Sequence, residues 1–472
     1  MKRSVLFFTA MALTVGTHLQ AQTSAITLKT TKMATPITME FACQDSTTLL
    51  IDWGDGVKVE TVAVADSATA FLERGYERTE ISGTPVGETI HIYGDKILFF
   101  DASSCGLTSL TINNAPLKRL FASSNDLTSL DVTNLPDLEY LEINTNENLG
   151  AIDVTKNPKL TRFVVNNTAI ENINLSQNPD LYYLNVNNTK LGSLDVTKNT
   201  KLGSLYALNL GLTNIDLTQN KKMFFLSMNG NNLESLNLAS CDTLIYLYAS
   251  SNKFKDKDAI TFPVQSEKRV FNMMNLSKNY FKLSTLPDLQ EAPMTSSRYT
   301  YAPQAPYQIE QSYEVGQMID LSSEKEVKGI LEAPVATTYT WATQSGTVLT
   351  KGTDYEEPET GVFKFLTAPK DSVVCTMSTT AFPKFKSSSS YKTVATKIEL
   401  ANSIGQNMAN APYAVAVKGA VRFMNIESAT VLSVMSLNGQ IIYTGKPVDS
   451  IALPAAVYVI KIDGTATKVA VR

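Results

Sequence analysis

Between residues 97 and 254 the apolar positions follow neither the 3.6-residue period of a helix nor the alternation of a simple strand. They follow a template that returns about every 21 residues. Leu117, Leu138, Leu160, Leu181, Leu202, Met223 and Leu244 open successive units, at steps of 21, 22, 21, 21, 21 and 21. Each unit reads L-x-x-L-x-a-x-x-N-x-L-x-x-L-x-V, where a is small or apolar. The unit at Leu181 continues through Leu184, Val186, Thr189, Leu191, Leu194 and Val196. A degenerate first unit runs from Ile97 through Phe100, Ala102, Cys105, Leu107, Leu110 and Ile112, and a last half-unit ends at Phe254. Such a pattern predicts a solenoid, in which the apolar edge of each coil is covered only by the next. So short a coil leaves little room for a convex helix, and strands and turns are expected on both sides.

The polar columns of the template carry their own reading. Asn125, Asn146, Asn231 and Asn252 fill the ninth position, where a side-chain amide can pair turn backbone that is otherwise unpaired. Cys105, Thr168 and Thr189 stand in the same column, and Leu210 breaks it. A second column holds Asn157, Asn178, Asn199 and Asn220, with Cys241 in place of Asn. Both solenoid cysteines are therefore expected to be structural. Residues alternate sides along a strand, so with positions four and six pointing inward, positions three and five form the concave face. They read Phe99, Asp101; Arg119, Phe121; Tyr140, Glu142; Arg162, Val164; Tyr183, Asn185; Ser204, Tyr206; Phe225, Ser227; Tyr246, Tyr248. Seven or eight strands at about 4.8 Å make a face roughly 35 Å across. The candidate ligand-binding residues on it are Phe121, Tyr140, Arg162, Tyr183, Asn185, Tyr206, Phe225, Tyr246 and Tyr248. A Tyr and Phe stripe with Asn and Arg has the composition of a recognition surface; the same aromatics also stack well between neighbouring strands. On another edge, Asp131, Asp153, Asn174, Asp195, Asp216 and Asn237 form a column that reads as solvated polar surface, with calcium binding as the alternative.

The flanks are also strand-like. In 22–95, alternating Ile37, Met39 and Phe41 precede Leu49, Leu50 and Ile51, then Ile90 and Ile92. Among them Asp52-Trp53-Gly54-Asp55-Gly56 is a tight-turn signal that accounts for both aspartates without catalysis. This segment is expected to cap the first coil, and 257–308 to form a C-terminal cap and linker. From 309 to 398, strands around Tyr339-Thr340-Trp341, Val362 to Leu366 and Ser372 to Met377 suggest an immunoglobulin-like sandwich without its disulfide. The expected fold is thus mainly β: a leucine-rich-repeat solenoid of about eight coils over 96–256, an N-terminal β cap, and C-terminal β-sandwich domains.

Composition narrows the function. The chain has 472 residues, 43% hydrophobic and 18% charged, with 41 Lys plus Arg against 45 Asp plus Glu. No basic footprint points to nucleic acid. Lys2 and Arg3 followed by an apolar stretch to Val15, with Ala21 as a small residue at the cut, predict a secretory signal peptide over 1–21. Without it, His91 is the single histidine, which forbids a two-histidine metal site and leaves no nucleophile–base–orienter set. Cys43, Cys105, Cys241 and Cys375 are scattered and make no C-x-x-C. No enzyme activity, cofactor or metal is expected.

Two resemblances add to this. Stretches such as Ile152-Asp153-Val154-Thr155-Lys156-Asn157-Pro158 and Leu194-Asp195-Val196-Thr197-Lys198-Asn199 resemble the repeats of internalin-J-type surface proteins. In that family the sixth position often holds cysteine; here it holds Ala102, Ala122, Ile143, Val165, Val186, Ala207, Met228 and Ala249. The final segment, 399–472, resembles the C-terminal sorting domain of type IX secretion cargo. Its marks are the Asn438-Gly439 turn, the strand Leu453-Pro454-Ala455-Ala456-Val457-Tyr458-Val459-Ile460-Lys461, and basic residues such as Lys468 near the last strand. These resemblances imply a cell-surface adhesin that supports cell adhesion and biofilm formation. Its partner would be a protein or glycan on other bacteria or host cells. The tail would engage the type IX secretion machinery, and after its removal the protein would be attached to surface lipopolysaccharide. A glycan-binding or nutrient-capture module is the alternative.

Overall fold

The solenoid is built from one short strand per repeat. A computed structural model describes residues 23–471 except 64–77, 114, 264–270, 288–295, 387–388, 401–412, 418, 425–430, 447 and 464. The expected signal peptide lies outside the described residues. Two compact units are present: residues up to 307 with 323–339 and 376–392, and residues 308–322 with 340–375 and 393–472.

In the first unit, template positions three to five form the strands Arg119–Phe121, Tyr140–Glu142, Arg162–Val164, Tyr183–Asn185, Ser204–Tyr206, Phe225–Ser227 and Tyr246–Tyr248. Each pairs in parallel with the next, same position to same position. Ile97–Asp101 joins as the first solenoid strand. Positions four and six point inward, as the alternation requires: Leu120, Leu141, Phe163, Leu184, Leu205, Leu226 and Leu247 are fully buried, and so is the whole sixth column from Ala102 to Ala249. The described residues hold no α-helix, only three single-turn 3-10 helices.

The turns between strands depend on amides and on one unusual backbone angle. Asn146 is fully buried. Its Nδ2 donates to the Ala122 and Ile143 carbonyls, at 3.0 and 2.8 Å, and its Oδ1 accepts the Leu127 N–H at 3.0 Å. Asn125, Asn231 and Asn252 repeat this set of bonds. Thr168 and Thr189 keep only the bond to the carbonyl three residues back. Where Leu210 interrupts the column, Asn231 of the next coil takes up the Leu210 N–H as well. The second column bonds in a chain: Asn178 Nδ2 donates to the Asn157 carbonyl, Asn199 to that of Asn178, and Asn220 to that of Asn199. Just before the ninth position the backbone turns left-handed. Ser104, Ser124, Thr145, Asn167, Asn188, Asn209, Gly230 and Ser251 all have φ between 56° and 67°. Each donates its N–H to the next coil, so the kink itself is stacked into the ladder.

Both ends are closed within the same unit. At the N-terminal end the strand Ile37–Cys43 pairs antiparallel with Ile97–Asp101 and carries Thr79–Gly83 on its outer edge. A second sheet, in the order Lys58–Ala63, Thr47–Asp52, Thr89–Tyr93, Ile26–Thr30, Leu107–Ile112, continues the other side of the first coil. Asp52 closes the expected tight turn by accepting the Gly54 and Gly56 N–H groups, both at 2.9 Å. At the other end the parallel stacking runs on past Phe254. Tyr246 pairs with Met273 and Met274 with Tyr299, steps of 27 and 25 residues. Asn279 and Gln304 continue the amide ladder through these longer coils. The last coil is then covered by Phe382 and Phe385, whose rings lie 5.0 and 5.4 Å from Tyr301. Lys384 fixes this cover by donating its N–H to Tyr301 Oη and its Nζ to the Tyr299 carbonyl. The buried Glu324 carboxylate accepts the Ser284 N–H and hydroxyl and ties 323–339 to the same end.

The second unit contains a small sheet of Met318–Asp320, Val362–Phe365 and Tyr355–Glu359, packed around the fully buried Trp341. Phe363 and Phe365 meet the indole edge-on at 5.5 and 5.1 Å. Its C-terminal part is a pair of sheets, one of Tyr413–Val417, Ala420–Met424 and Ser450–Ala452, the other of Ile441–Gly445, Leu432–Ser436, Ala456–Ile462 and Thr465–Val471. They share one apolar core that includes Phe423, Leu453, Tyr458 and Ile460.

All four cysteines are buried thiols that form no disulfide. Cys105 and Cys241 sit in their asparagine columns; Cys105 donates its thiol to the Thr38 carbonyl, and Cys241 keeps the backbone bond of its turn, N–H to the Leu238 carbonyl. Burial pushes the Cys43 and Cys105 thiols up to about 11 and Cys241 to about 12, and raises Cys375 further.

Two outcomes follow from this packing. Asn146→Ala leaves the Ile143 carbonyl and the Leu127 N–H unpaired in the interior, while the Ala122 carbonyl keeps its bond from Asn125, and lowers unfolding free energy by roughly 3 kcal/mol in a denaturant titration. Asn146→Thr, which restores one bond as in Thr168, loses less; equal losses would show that the bond to the Ile143 carbonyl contributes nothing. Because the thiols titrate higher folded than unfolded, their contribution is complete below about pH 8 and is lost as pH rises from about 9 toward 12. Iodoacetamide at about pH 8 is expected to label the native chain at none of the four cysteines and the denatured chain at all of them.

Candidate functional site

The third and fifth positions of the solenoid strands form a continuous concave surface, and its two halves differ. In the N-terminal half the side chains are engaged with each other. Arg162 Nε donates to Glu142 Oε1 at 2.5 Å, and the guanidinium lies 4.0 Å from the Tyr183 ring centre. Arg119, expected on the open face, is instead buried, with its guanidinium 4.9 Å from the Tyr140 ring. Phe121 meets Phe99 edge-on at 5.3 Å, and Arg78 lies over Phe99 while pairing with Glu40 of the cap.

The C-terminal half is aromatic and uncharged. Strand register sets Tyr183, Ser204, Phe225 and Tyr246 side by side in one column, and Asn185, Tyr206, Ser227 and Tyr248 in the other. Large and small residues therefore alternate in a checkerboard as far as Phe225 and Ser227, and the next coil carries rings in both columns. Ser204 and Ser227 are buried, and the rings of the opposite column lean into the room they leave. The result is a single zigzag file with centroid separations of 5.2 Å for Tyr183–Tyr206, 4.5 Å for Tyr206–Phe225 and 5.5 Å for Phe225–Tyr248. Tyr246 joins Phe225 at 5.9 Å. All five rings are half-buried. Burial, and then the neighbouring Tyr183, raise the Tyr206 phenol above its ordinary value, so this ring is neutral at physiological pH. Asn185 directs its Oδ1 to the Asn187 N–H at 3.2 Å, which makes it partly a turn residue.

The structure thus brings together Arg162, Tyr183, Tyr206, Phe225, Tyr246 and Tyr248, and leaves Phe121 and Tyr140 in separate contacts toward the cap. Sequence reasoning missed the extension of this face by Met273–Asn275. The signal was present, since Phe271-x-x-Met274-x-Leu276-x-x-Asn279-x-Phe281 repeats the template after a longer step. Asn272 reaches the Tyr246 hydroxyl at 3.5 Å and is itself held by Arg298.

The aspartate column is a stack of closed turns. Asp131, Asp195 and Asp216 each accept the N–H and the hydroxyl of the threonine two residues on, and Asp153 accepts the Thr155 N–H. These bonds lower the carboxyl pKa of all four. Among the described residues no group of three His, Cys, Asp or Glu is placed to hold a metal ion.

In the C-terminal part, Asn438 and Gly439 occupy a hairpin turn with Gly439 at φ 85°, and the Gly439 N–H bonds the Ser436 carbonyl. Leu453 and Tyr458 are buried, with Tyr458 Oη donating to the Pro454 carbonyl at 2.9 Å. Lys461 and Lys468 are exposed on the last two strands, which pair along their whole length.

No family model matches this chain, and no curated protein matches it in sequence. Among solved structures it is similar to the functional domain of InlJ from Listeria monocytogenes, described as including a cysteine ladder. The identity is 18% and the TM-score 0.48, over 64% of this chain; the match spans 62% of that chain.

The ring contacts can be measured. A double-mutant cycle of Tyr206→Ala and Phe225→Ala is expected to return a coupling of about 1 kcal/mol, with both single variants folded. A coupling near zero would mean that the rings lie side by side without packing.

Proposed function

We propose that this chain is a recognition protein that binds a protein partner through the C-terminal half of its concave sheet, on the surface of the cell that exports it. The observation that carries the reading is the uncharged aromatic file from Tyr183 to Tyr248, bordered by Ser and Asn. Tyr and Trp rings with Ser, Gly and Asn around them are the means by which protein surfaces are bound at low entropic cost, because the rings are large and already held. The file is pre-ordered by its own stacking, which reduces the ordering cost of association. The serines and asparagines of the seventh position, such as Ser123, Asn144, Asn187, Asn229 and Ser250, border the same face and supply hydrogen-bonding groups.

The same geometry argues against sugar stacking on this stripe. Tyr206 and Phe225 stack face to face, the other rings meet their neighbours at a tilt, and Arg162 covers Tyr183 at the end of the file. Edges and hydroxyls are left to a ligand, and these suit polypeptide better than the flat face of a pyranose. The role we assign is binding rather than catalysis.

Adhesion to other bacteria or host cells, and through it biofilm formation and virulence, extends this proposal by way of the internalin-like repeats. Export through a type IX route, with the tail removed and the protein left on surface lipopolysaccharide at the outer membrane, extends it by way of the C-terminal motif.

Intact cells expressing the full chain are expected to label with an antibody against the solenoid, and cells expressing a chain truncated after Asn410 are not. Equal labelling would make the tail an ordinary structural domain, and labelling of neither would place the protein inside the envelope and end the adhesin reading. On labelled cells, Tyr206→Ala combined with Tyr248→Ala is expected to reduce attachment about tenfold or more, the loss of one hot spot. Undiminished attachment by this variant would move the binding site elsewhere.

A further inference from the structure

We propose that a groove on the rim of the last solenoid coils binds a carboxylate-bearing glycan, a uronic acid chain being the simplest. This goes beyond the concave-face reading and does not depend on it. The groove encloses about 460 Å³, within the range of small-ligand clefts. Asn232, Ser251, Lys253, Lys278 and Tyr280 line it, over a floor that includes the buried ladder residue Gln304.

The chemistry of the lining selects the ligand. Among the described residues no carboxylate lines the groove, in a protein whose acids outnumber its bases. Lys253 and Lys278 are exposed, and neither enters an ion pair among the described residues. Two ammonium groups at one groove suit an anion. Tyr280 stands 51% exposed, and among the described residues no aromatic ring or cation is stacked on it. This is the opposite of the concave file, where ring packs on ring. A half-exposed ring beside an amide, a hydroxyl and two ammonium groups is what an acidic pyranose can use: stacking for its C–H face, hydrogen bonds for its hydroxyls, and charge for its carboxylate.

The template explains why the groove forms here. The residue after the ninth position runs Asp126, Glu147, Ala169, Lys190, Gly211, Asn232, Lys253, Tyr280 along the solenoid, from acidic to basic and aromatic. The eighth position, elsewhere Ser, Thr, Asn or Gly, holds Lys278 at φ 56° in the ninth coil. The floor amide Gln304 has no donor to spare. Gln304 accepts the Asn279 N–H and donates to the Leu276 and Tyr301 carbonyls. Recognition therefore falls to the rim side chains named above.

The test is calorimetric titration of the full chain with a hyaluronan oligosaccharide, which alternates glucuronate with N-acetylglucosamine. Saturable binding is expected, weakened about tenfold or more by Lys253→Gln or Lys278→Gln, the effect of one charge-assisted hydrogen bond. Tyr280→Ala is expected to weaken it too, while Tyr206→Ala on the concave face leaves it unchanged. All four positions are at least partly exposed, so circular dichroism is expected to report native folding for each variant. Three results would overturn the proposal: no binding, equal binding of a neutral chitin oligosaccharide, or binding of inorganic phosphate as tight as that of the glycan, which would reduce the groove to a simple anion site. Binding insensitive to all three groove variants would place the glycan elsewhere.

Discussion

A chain wound into 21-residue coils must bend its backbone inside the protein in every coil, and each bend leaves peptide groups that no strand can pair. The rest of the structure depends on how those groups are satisfied. Asn146 and its equivalents pair three of them with one side chain, and they do so across the gap between coils, so each amide also holds neighbouring coils together. The left-handed residue before the ninth position is the other half of the device. It turns the chain sharply enough for the amide to point inward, and its own N–H is passed to the next coil. With the bends stacked, the leucines need only fill the space between them, and the concave strands fall into register without any pairing signal of their own.

Much of this was legible because the physical unit and the sequence unit coincide. The inward columns, the amide ladders, the structural place of Cys105 and Cys241 and the turn at Asp52 all follow from residue type and spacing. What was not legible depends on contacts between distant segments. The coils at Met273 and Tyr299 keep the template but lengthen the step, so a search at a fixed period passes over them. Phe382 and Phe385 cover the last coil although they lie some eighty residues along the chain from Tyr301, and nothing in their local pattern distinguishes them from sandwich core residues.

The concave face was legible as a composition and not as a mechanism. Position numbers alone name Tyr183, Tyr206, Phe225, Tyr246 and Tyr248, but they treat Arg119 and Arg162 as equal members of the surface. Arg119 is buried because its long stem packs against its neighbours and its charge lies beside the Tyr140 ring, whereas Arg162 is drawn to Glu142 and Tyr183. Which side chains face outward is set by alternation; which of them remain available to a partner is set by what lies one coil away. That second fact needs the register, and with it the small serines that let the rings close up.

The checkerboard of rings and serines has a consequence for how such a surface can change over generations. The scaffold repeats with every coil, so duplicating or deleting one coil leaves a foldable chain. The ring file repeats with every second coil, since Tyr183 and Phe225 occupy one column and Tyr206 and Tyr248 the other. Ahead of the coil that carries both Tyr246 and Tyr248, inserting a single coil would set ring beside ring or serine beside serine and interrupt the zigzag, while inserting a pair would lengthen it intact. The heritable unit of the fold is one coil, and the heritable unit of its recognition surface is two.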